Sequence, residues 1–305
     1  MAMNRALFKK QLQKGLNAVF GLEYRERPEV WRGYLSQESE TEKAYVEEVM
    51  MAGLGAAAVK EEGAGVTYDH TSETYVARYV FETIALAFAI TEEAEEDGLY
   101  GSIGKKLARA LARSHKHTIA TRAANILNNG FTNTAAYYGG DGVPLFSASH
   151  PLKSGGTGSN LLANPADLSE TSVEDLMTQI ANTTDDRGLP IDLDSQALVI
   201  PTALRFVAHR LLNSMGRVDT ANNDTNAIRD MGLFPKGVIM DKRLVDTDAF
   251  FITTDCPDGL KFIERVKPKA KIEGDFDTGN MRYKVRSRSI QGWSNWRGAF
   301  GTAGG

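Results

Sequence analysis

Serine and histidine side chains that lie close together could act as a nucleophile and a base, and one such group occurs in this sequence. Ser147 and Ser149 precede His150, and Pro151 follows. A Ser–His pair depends on spatial geometry and not on adjacency, and the chain contains no Gly-x-Ser-x-Gly elbow. We therefore favour a turn before the proline, and keep a serine hydrolase that uses Ser149 and His150 as an alternative.

The remaining histidines, the cysteine and the glycine-rich stretches do not indicate a metal or nucleotide site. His115 and His117 are two residues apart on a predicted helix, so they point to different faces and would be poor joint ligands. The single cysteine, Cys256, excludes a disulfide within the chain and a four-cysteine zinc site. No phosphate-binding loop occurs, and the glycine-rich stretch 53–58 ends in alanine where a dinucleotide motif needs glycine. We predict no enzyme activity, no metal and no cofactor.

The composition is that of an ordinary globular protein. The chain has 305 residues, of which 42% are hydrophobic and 24% are charged, and this length fits one large domain or two intimate ones. The net charge of −4 is mild, so any contact with nucleic acid must come from local patches. No run of 18 apolar residues and no secretory core occur, so we expect no membrane span and no secretion signal.

The first third of the chain is predicted to contain helices and an extended excursion. Helical spacing of apolar residues over 4–20 predicts an amphipathic helix, which would be a mobile arm on a neighbour, a terminal helix on its own domain, or a membrane-surface helix. A second helix is predicted at 38–52. Residues 53–83 indicate a glycine-rich, two-stranded excursion that is marginal in isolation, so we expect a neighbouring subunit to cover it.

The remaining elements follow from periodicity and from breaker residues. We predict a long helix from 102 to 128, a glycine-rich loop over 131–168, an α/β region over 169–266 and a β-rich tail over 267–305. The α/β region is predicted to hold helices at 171–183 and 202–214, with strands at 197–200, 237–240 and 250–253.

Two basic stripes stand out in an otherwise mildly acidic chain. They consist of Lys105, Arg109 and Arg113 on the long helix and of Arg282, Lys284, Arg286 and Arg288 on one face of a strand in the tail. Such stripes could face phosphate backbones without reading bases, pair with acids on a neighbour, or form solvated faces. The sequence leaves these three roles open.

Four stretches, in this order along the chain, resemble the major capsid proteins of tailed bacteriophages, which have the Hong Kong 97-type fold. The stretches are ITEEAEEDGLYGSIGKKLARALARSHKHTIATRAANILNNG (90–130), LFSASHPL (145–152), LVIPTALRFVAHRLLNS (198–214) and VRSRSIQGWSNWRGAFG (285–301). They look most like the branch that includes the Mu-like major head subunits. The first 50 residues contain no stretch that matches.

The resemblance implies an α+β capsid fold with a defined division of the chain. The expected parts are an N-terminal arm (1–35), an extended loop (53–85), a peripheral domain (36–52, 86–167 and 267–305) with a spine helix at about 102–129, and an axial domain (168–266). The expected function is self-assembly through hexamers and pentamers into an icosahedral shell around double-stranded DNA. An encapsulin-like protein compartment is an alternative within the same fold.

The resemblance also implies partners and contact residues. Contacts with neighbours are expected at Lys60, Tyr68, Tyr75, Arg78 and Tyr79 in the extended loop, and at Phe8, Leu12 and Phe20 in the arm. Expected partners are other copies of the chain, a portal protein, a separate scaffolding protein and DNA bound without sequence specificity, with a decoration protein left open and no membrane. Assembly is expected in the bacterial host cytoplasm, and the product is the virion capsid. Some relatives crosslink a loop lysine to an asparagine, but nothing identifies a partner for Lys60.

Overall fold

The computed structural model describes residues 5–26, 28–39, 42–91, 93, 100–216, 225–275 and 278–305, without the side chains of 5–13 and 100–102. Its α-helices are α1 (Arg5–Glu26), α2 (Tyr100–Asn128), α3 (Glu170–Ala181), α4 (Arg205–Asn213) and α5 (Ala227–Asp230). Short 3-10 helices occur at Val30–Gly33, Ala135–Tyr137 and Trp296–Gly298. The prediction of an α+β fold is confirmed, because helices and mainly antiparallel sheets occupy separate layers.

The strands form two four-stranded sheets and two small ribbons. They are β1 (Ser36–Ser39), β2 (Tyr45–Met51), β3 (Glu73–Val80), β4 (Glu82–Ile90), β5 (His150–Pro151), β6 (Thr157–Gly158), β7 (Ser195–Ile200), β8 (Val238–Met240), β9 (Phe250–Thr254), β10 (Leu260–Gly274), β11 (Met281–Trp293) and β12 (Ala299–Thr302). The long sheet has the order β1-β10-β11-β4, and the small sheet has the order β12-β9-β7-β8. The remaining pairs are β2 with β3 and β5 with β6.

Helices α1 and α2 cover one face of the long sheet. Along β11 the odd-numbered side chains from Met281 to Ser289 are buried, whereas Arg282, Lys284 and Arg286 are exposed on the other face. The buried cluster consists of Leu16 and Phe20 from α1, Ala108, Leu111 and Ala112 from α2, and Tyr283 and Val285 from β11. Alanines on α2 permit close approach to the strands, and the helix predicted at 102–128 is confirmed as α2.

The main core surrounds the small sheet. Strands β7 and β9 are buried along almost their whole length, as expected of central strands covered on both faces. Helices α3 and α4 pack against this core, and both match helices predicted from the sequence. The Ser169 hydroxyl accepts a hydrogen bond from the Ser172 amide, and the Ser172 hydroxyl accepts one from the Ser169 amide, which fixes the start of α3.

The helix predicted at 38–52 is wrong, because the chain forms β1 and β2 there. The glutamates of this segment favoured a helix, but β2 alternates between exposed and half-buried side chains and pairs with β3. Val46 lies opposite Tyr79 and Glu47 lies opposite Arg78 across this ribbon. Cross-strand pairs of this kind outweigh a weak helical propensity.

The excursion also differs from its prediction. Strand β3 pairs with β2, and residues 52–72 between them contain no regular element. A break at Phe81 inverts the faces of the chain between β3 and β4. Ala77 and Tyr79 are buried before the break, whereas Ile90 is the buried residue after it.

The predicted domain boundary at 266/267 falls inside one continuous strand, β10. Strand β12 lies in the part predicted to be peripheral domain (267–305), but it pairs with β9 of the small sheet. Strand pairing between distant segments determines these assignments, and the sequence does not show it. The division into peripheral and axial domains stays a prediction.

A buried cation joins the β2–β3 ribbon to the long sheet. The side chain of Lys261, at the start of β10, is only 3% exposed. Its ammonium donates to Glu48 on β2 and to Asp258 at 2.7 Å each, and contacts Glu38 on β1 at 3.1 Å. Burial alone lowers the pKa of this ammonium, but hydrogen bonds to Asp258, Glu48 and Glu38 outweigh it and raise that pKa above its usual value.

Glu48 also connects the Lys261 ammonium to β3, the other strand of the ribbon. The Ser294 hydroxyl donates to Glu48, and the hydroxyls of Ser294 and Tyr79 are also hydrogen-bonded. Tyr75 donates to the Ser294 carbonyl at 3.0 Å. Both strands of the ribbon are therefore fixed to the long sheet through one polar network.

Replacing Lys261 by Met should lower the free energy of unfolding by about 2–3 kcal/mol, because three carboxylates lose their shared cation. Adding Glu48→Gln should recover part of this loss. Lys271→Met is the matched control, since this lysine is exposed and pairs only at the surface, and it should change stability by less than about 0.5 kcal/mol. Urea unfolding of the unassembled chain measures all three, and equal losses for Lys261→Met and Lys271→Met would contradict this account.

His115 is the buried histidine of the layer between α2 and the long sheet. Its side chain is 1% exposed, and its Nε2 lies 3.0 Å from the hydroxyl of Ser287 on β11. The ring also lies beside Tyr24 of α1. Burial lowers the pKa of His115, and the nearby Ile84 backbone opposes that shift only in part.

Stability should therefore fall as the pH drops below about 6.5, because the unfolded chain then binds a proton that His115 in the folded chain does not. This group contributes a slope of up to about 1.4 kcal/mol per pH unit. His115→Gln should flatten the dependence between about pH 7.5 and 5.5, as measured by urea unfolding. The control is His117→Gln, an exposed histidine on the same helix. If His115→Gln has the same slope as the wild type, His115 is not the source of the pH dependence of stability.

Candidate inter-subunit surfaces

The extended segment, residues 52–72, exposes apolar side chains that its own chain does not cover. Every residue from 56 to 71 is exposed, and Val59 is 98% and Tyr68 is 87% exposed. Its tip is a turn in which the Ala64 amide donates to the Glu61 carbonyl at 3.1 Å. Uncovered apolar groups of this kind mark contact surfaces.

The base of the extended segment is held by a carboxylate. Asp69 accepts hydrogen bonds from the amides of Gly55 at 2.7 Å and His70 at 2.8 Å, and from the guanidinium of Arg187 at 2.8 Å. These bonds, that from Gly55 first, lower the pKa of Asp69 to about 2. Arg187 stands in a turn organised by Asp185, which accepts from its amide at 2.8 Å. The segment is thus anchored at its base and exposed beyond it.

The contact residues predicted in the extended loop have different environments. Lys60 and Tyr68 are exposed, and the Arg78 side chain is 58% exposed beside Glu47. Tyr75 and Tyr79 instead donate or share hydrogen bonds within their own chain, and Tyr79 is only 6% exposed. Little of the Tyr79 surface is left for a neighbour.

The N-terminal helix packs on its own chain where its side chains are described. Phe20, predicted to contact a neighbour, is 6% exposed within the cluster of α1, α2 and β11. Phe8 and Leu12 lie on α1, but their side chains are outside the described residues. The predicted contacts of Phe8 and Leu12 stay predictions.

One basic stripe belongs to a larger basic sheet face, on the side of the long sheet away from α1 and α2. This face consists of Lys269 and Lys271 on β10 and of Arg282, Lys284 and Arg286 on β11. Lys269 lies opposite Arg286 and Lys271 lies opposite Lys284, and like charges in such positions repel. Lys269 and Lys271 on β10 are not among the residues predicted from the sequence, although the alternation in KPKAKIE at 267–273 could have indicated them. Arg288, at the end of the stripe, is half-buried.

The basic sheet face is partly neutralised and has an apolar border. Glu273 pairs with Lys271 and Lys284, and Asp275 pairs with Arg282. Beside β11, the edge strand β4 exposes Ala85, Ala87 and Ala89, which lie opposite Arg286, Lys284 and Arg282. The face therefore offers cations and a shallow alanine strip together.

The other stripe lies on the exposed side of α2, and we call it the helix ridge. It consists of Lys105, Lys106, Arg109 and Arg113. Because Ala108, Leu111 and Ala112 face the long sheet, the ridge and the basic sheet face lie on opposite sides of one layer. Arg113 pairs with the buried Glu23 of α1 at 2.5 Å, which raises the Arg113 pKa.

The serine–histidine group does not form a nucleophile–base pair. His150 is fully buried, its Nδ1 lies 2.7 Å from Asp141 and its Nε2 lies 3.3 Å from the amide oxygen of Asn160. The Ser149 hydroxyl pairs with that of Ser147 at 3.3 Å. The imidazole also stacks on Trp296, with ring centroids 4.6 Å apart.

Asn160 joins this loop to other parts of the chain through hydrogen bonds of its side-chain amide. Its amide nitrogen donates to the carbonyls of Leu145 at 2.7 Å and Ala299 at 2.9 Å, and its oxygen accepts from the Ser147 amide. The stretch 145–152 is thereby attached to the C-terminal strand. His150 and Asn160 hold the fold together here, and they expose no site to a substrate.

Within the described part of the chain, no group of three or more His, Cys, Asp or Glu residues could hold a metal ion. The described helices include none that is both long and apolar enough to cross a bilayer.

Three solved structures illustrate the similarity of this fold to known ones. A virus-like particle from Pyrococcus furiosus has a TM-score of 0.53 at 11% identity, covering 95% of this chain and 98% of that one. The capsid of Myoviridae phage XM1 has a TM-score of 0.52 at 11% identity, with 90% of each chain covered. The capsid of an empty GTA particle has a TM-score of 0.53 at 12% identity, again with 90% of each chain covered. At these identities the similarity establishes the fold.

The sequence itself matches a family. The family described as phage capsid protein matches residues 74–301, which is most of the chain. No curated protein matches the sequence. Neither the encapsulin-like compartment nor the serine hydrolase is favoured by these findings. The chain therefore belongs to the phage capsid protein family, and it is a major capsid protein that forms the shell.

Proposed function

We propose that each copy of this capsid protein joins its neighbours chiefly through the extended segment. The observation that carries the proposal is the continuous exposure of residues 56–71, including Val59 and Tyr68, on a base anchored by Asp69. A lone chain gains nothing from holding apolar side chains in water. A neighbouring copy that covers them would remove this cost and place the contact residues Lys60 and Tyr68 at an interface.

The basic sheet face of the adjacent copy is the surface that best fits this segment. The tip contains three alanines, Val59 and Lys60, followed by Glu61 and Glu62, so these seven residues have a net negative charge. The basic sheet face presents cations beside a strip of alanines, so charge and apolar surface both correspond. Glu61 and Glu62 would add to Glu273 in offsetting the repulsion between Lys271 and Lys284.

The finer assignments rest on the sequence resemblance. We propose that the chain belongs to the branch with the Mu-like major head subunits and assembles through hexamers and pentamers into an icosahedral shell. The proposed partners are a portal protein, a separate scaffolding protein and double-stranded DNA. Assembly in the bacterial host cytoplasm, without enzyme activity of the chain, is part of the same proposal.

Expression of the chain with its scaffolding protein, followed by electron microscopy, tests shell formation directly. Val59→Asp combined with Tyr68→Asp should abolish shells, because two charges would enter the proposed interface. The unfolding free energy of the unassembled chain should change by less than about 0.5 kcal/mol, since both side chains are already in water. Val59→Thr with Tyr68→Phe is the matched control and should still assemble.

Charge reversal tests the proposed partner surface. Glu61→Lys with Glu62→Lys should reduce the yield of shells at least about tenfold, since a loss of 1.4 kcal/mol per contact is already a factor of ten. Combining it with Lys271→Glu and Lys284→Glu should restore assembly. If the combined variant folds but does not assemble, the extended segment binds a surface other than the basic sheet face. Normal shells from Val59→Asp with Tyr68→Asp would contradict the role of the segment.

A further inference from the structure

The two basic stripes cannot both face the contents of a closed shell. The helix ridge points away from the long sheet on one side, and the basic sheet face points away on the other. A layer one helix and one sheet thick separates them. In any orientation of this layer in the shell, at most one of the two stripes can face the inside and contact an enclosed polymer.

The helix ridge has the electrostatic character of a surface built for an anion. The 29 residues of α2 include six lysines and arginines and no aspartate or glutamate, in a chain whose net charge is −4. Lys105, Arg109 and Arg113 follow one another at four-residue spacing, about 6 Å per step. Like charges at this spacing destabilise a helix. Within the described residues, Lys105, Lys106 and Arg109 have no acidic partner that would offset this cost.

The basic sheet face has a different character. Its own chain supplies Glu273 and Asp275 as partners, and its alanine strip is apolar. Direct contact with a phosphate backbone uses cations and polar donors and has no need of an apolar strip. Protein interfaces combine apolar surface with paired charges, which matches this face.

We propose that the helix ridge faces the interior of the shell and binds the phosphate backbone of enclosed double-stranded DNA. This inference rests on the proposed function, in which a neighbouring copy covers the basic sheet face. Binding is electrostatic and independent of sequence, since the ridge consists of lysine and arginine side chains, whose charges suit phosphate groups. Lys105, Lys106 and Arg109 are the principal contacts, because Arg113 is already paired with Glu23.

Lysine acetylation with a small reagent, read out by mass spectrometry, tests this assignment in the whole protein. Three states are compared: the unassembled chain, DNA-free shells and shells filled with duplex DNA. Lys269, Lys271 and Lys284 should lose reactivity several-fold on assembly, with no further change on filling. Lys105 and Lys106 should stay reactive in DNA-free shells and lose reactivity several-fold only when DNA is enclosed.

Charge removal provides a second readout. Shells of Lys105→Gln, Lys106→Gln and Arg109→Gln should assemble normally and retain DNA less well as salt is raised, with a salt slope smaller by about 2–3 for the three lost phosphate contacts. The matched control, Lys269→Gln with Arg286→Gln, should leave that slope unchanged in the shells that it forms.

Each other outcome overturns a defined part of the account. Protection of Lys269 and Lys271 by DNA, with the ridge protected on assembly alone, would reverse the assignment of the two faces. Protection of Lys105 and Lys106 already in DNA-free shells would replace DNA by an internal protein as the partner. If the charge-removed shells hold DNA as the wild type does, the ridge makes no phosphate contact. Failure of the wild type to form shells would instead contradict the proposed function.

Discussion

The buried ammonium of Lys261 is the contact on which the arrangement of this capsid protein depends. A cation removed from water is tolerable only when anions and hydrogen bonds replace its hydration, and Glu38, Glu48 and Asp258 provide them from three separate segments. Because these segments meet only if β1, the β2–β3 ribbon and β10 are correctly placed, the charge makes their placement cooperative. A slipped ribbon would leave Lys261 with too few partners, so one register is selected.

A firmly placed ribbon allows the segment beyond it to remain uncovered. The ribbon ends where Asp69 and Arg187 hold the two ends of the extended segment together, and outside that contact the chain has only the turn at its tip. In the proposed assembly, a neighbouring copy would supply the free energy that a single domain gains by burying its apolar side chains. In a shell protein this is a physical advantage, since an interface that is incomplete in the monomer favours assembly.

The layer of α1, α2 and the long sheet separates two kinds of basic surface. Both contain like charges side by side, which costs stability in the isolated chain. The alternation of β11 and the alanine-faced packing of α2 ensure that these surfaces never merge into one patch. In the proposed assembly, each face would meet a different anionic partner. The direction of the face, and not the sign of its charge, would then distinguish a neighbouring copy from enclosed DNA.

The sequence by itself determined the elements in which the pattern of buried residues is visible within a single segment. Helix α2, helix α3, strand β7 and the alternation of β11 follow from periodicity within one segment. Only the tertiary structure decided that the glutamate-rich stretch before the excursion forms strands, that Lys261 pairs with the distant Glu38 and Glu48, and that the two basic stripes point in opposite directions. Periodicity reports which side of an element is buried, whereas strand partners, salt bridges between distant residues and the relative direction of two faces depend on contacts that no single segment contains.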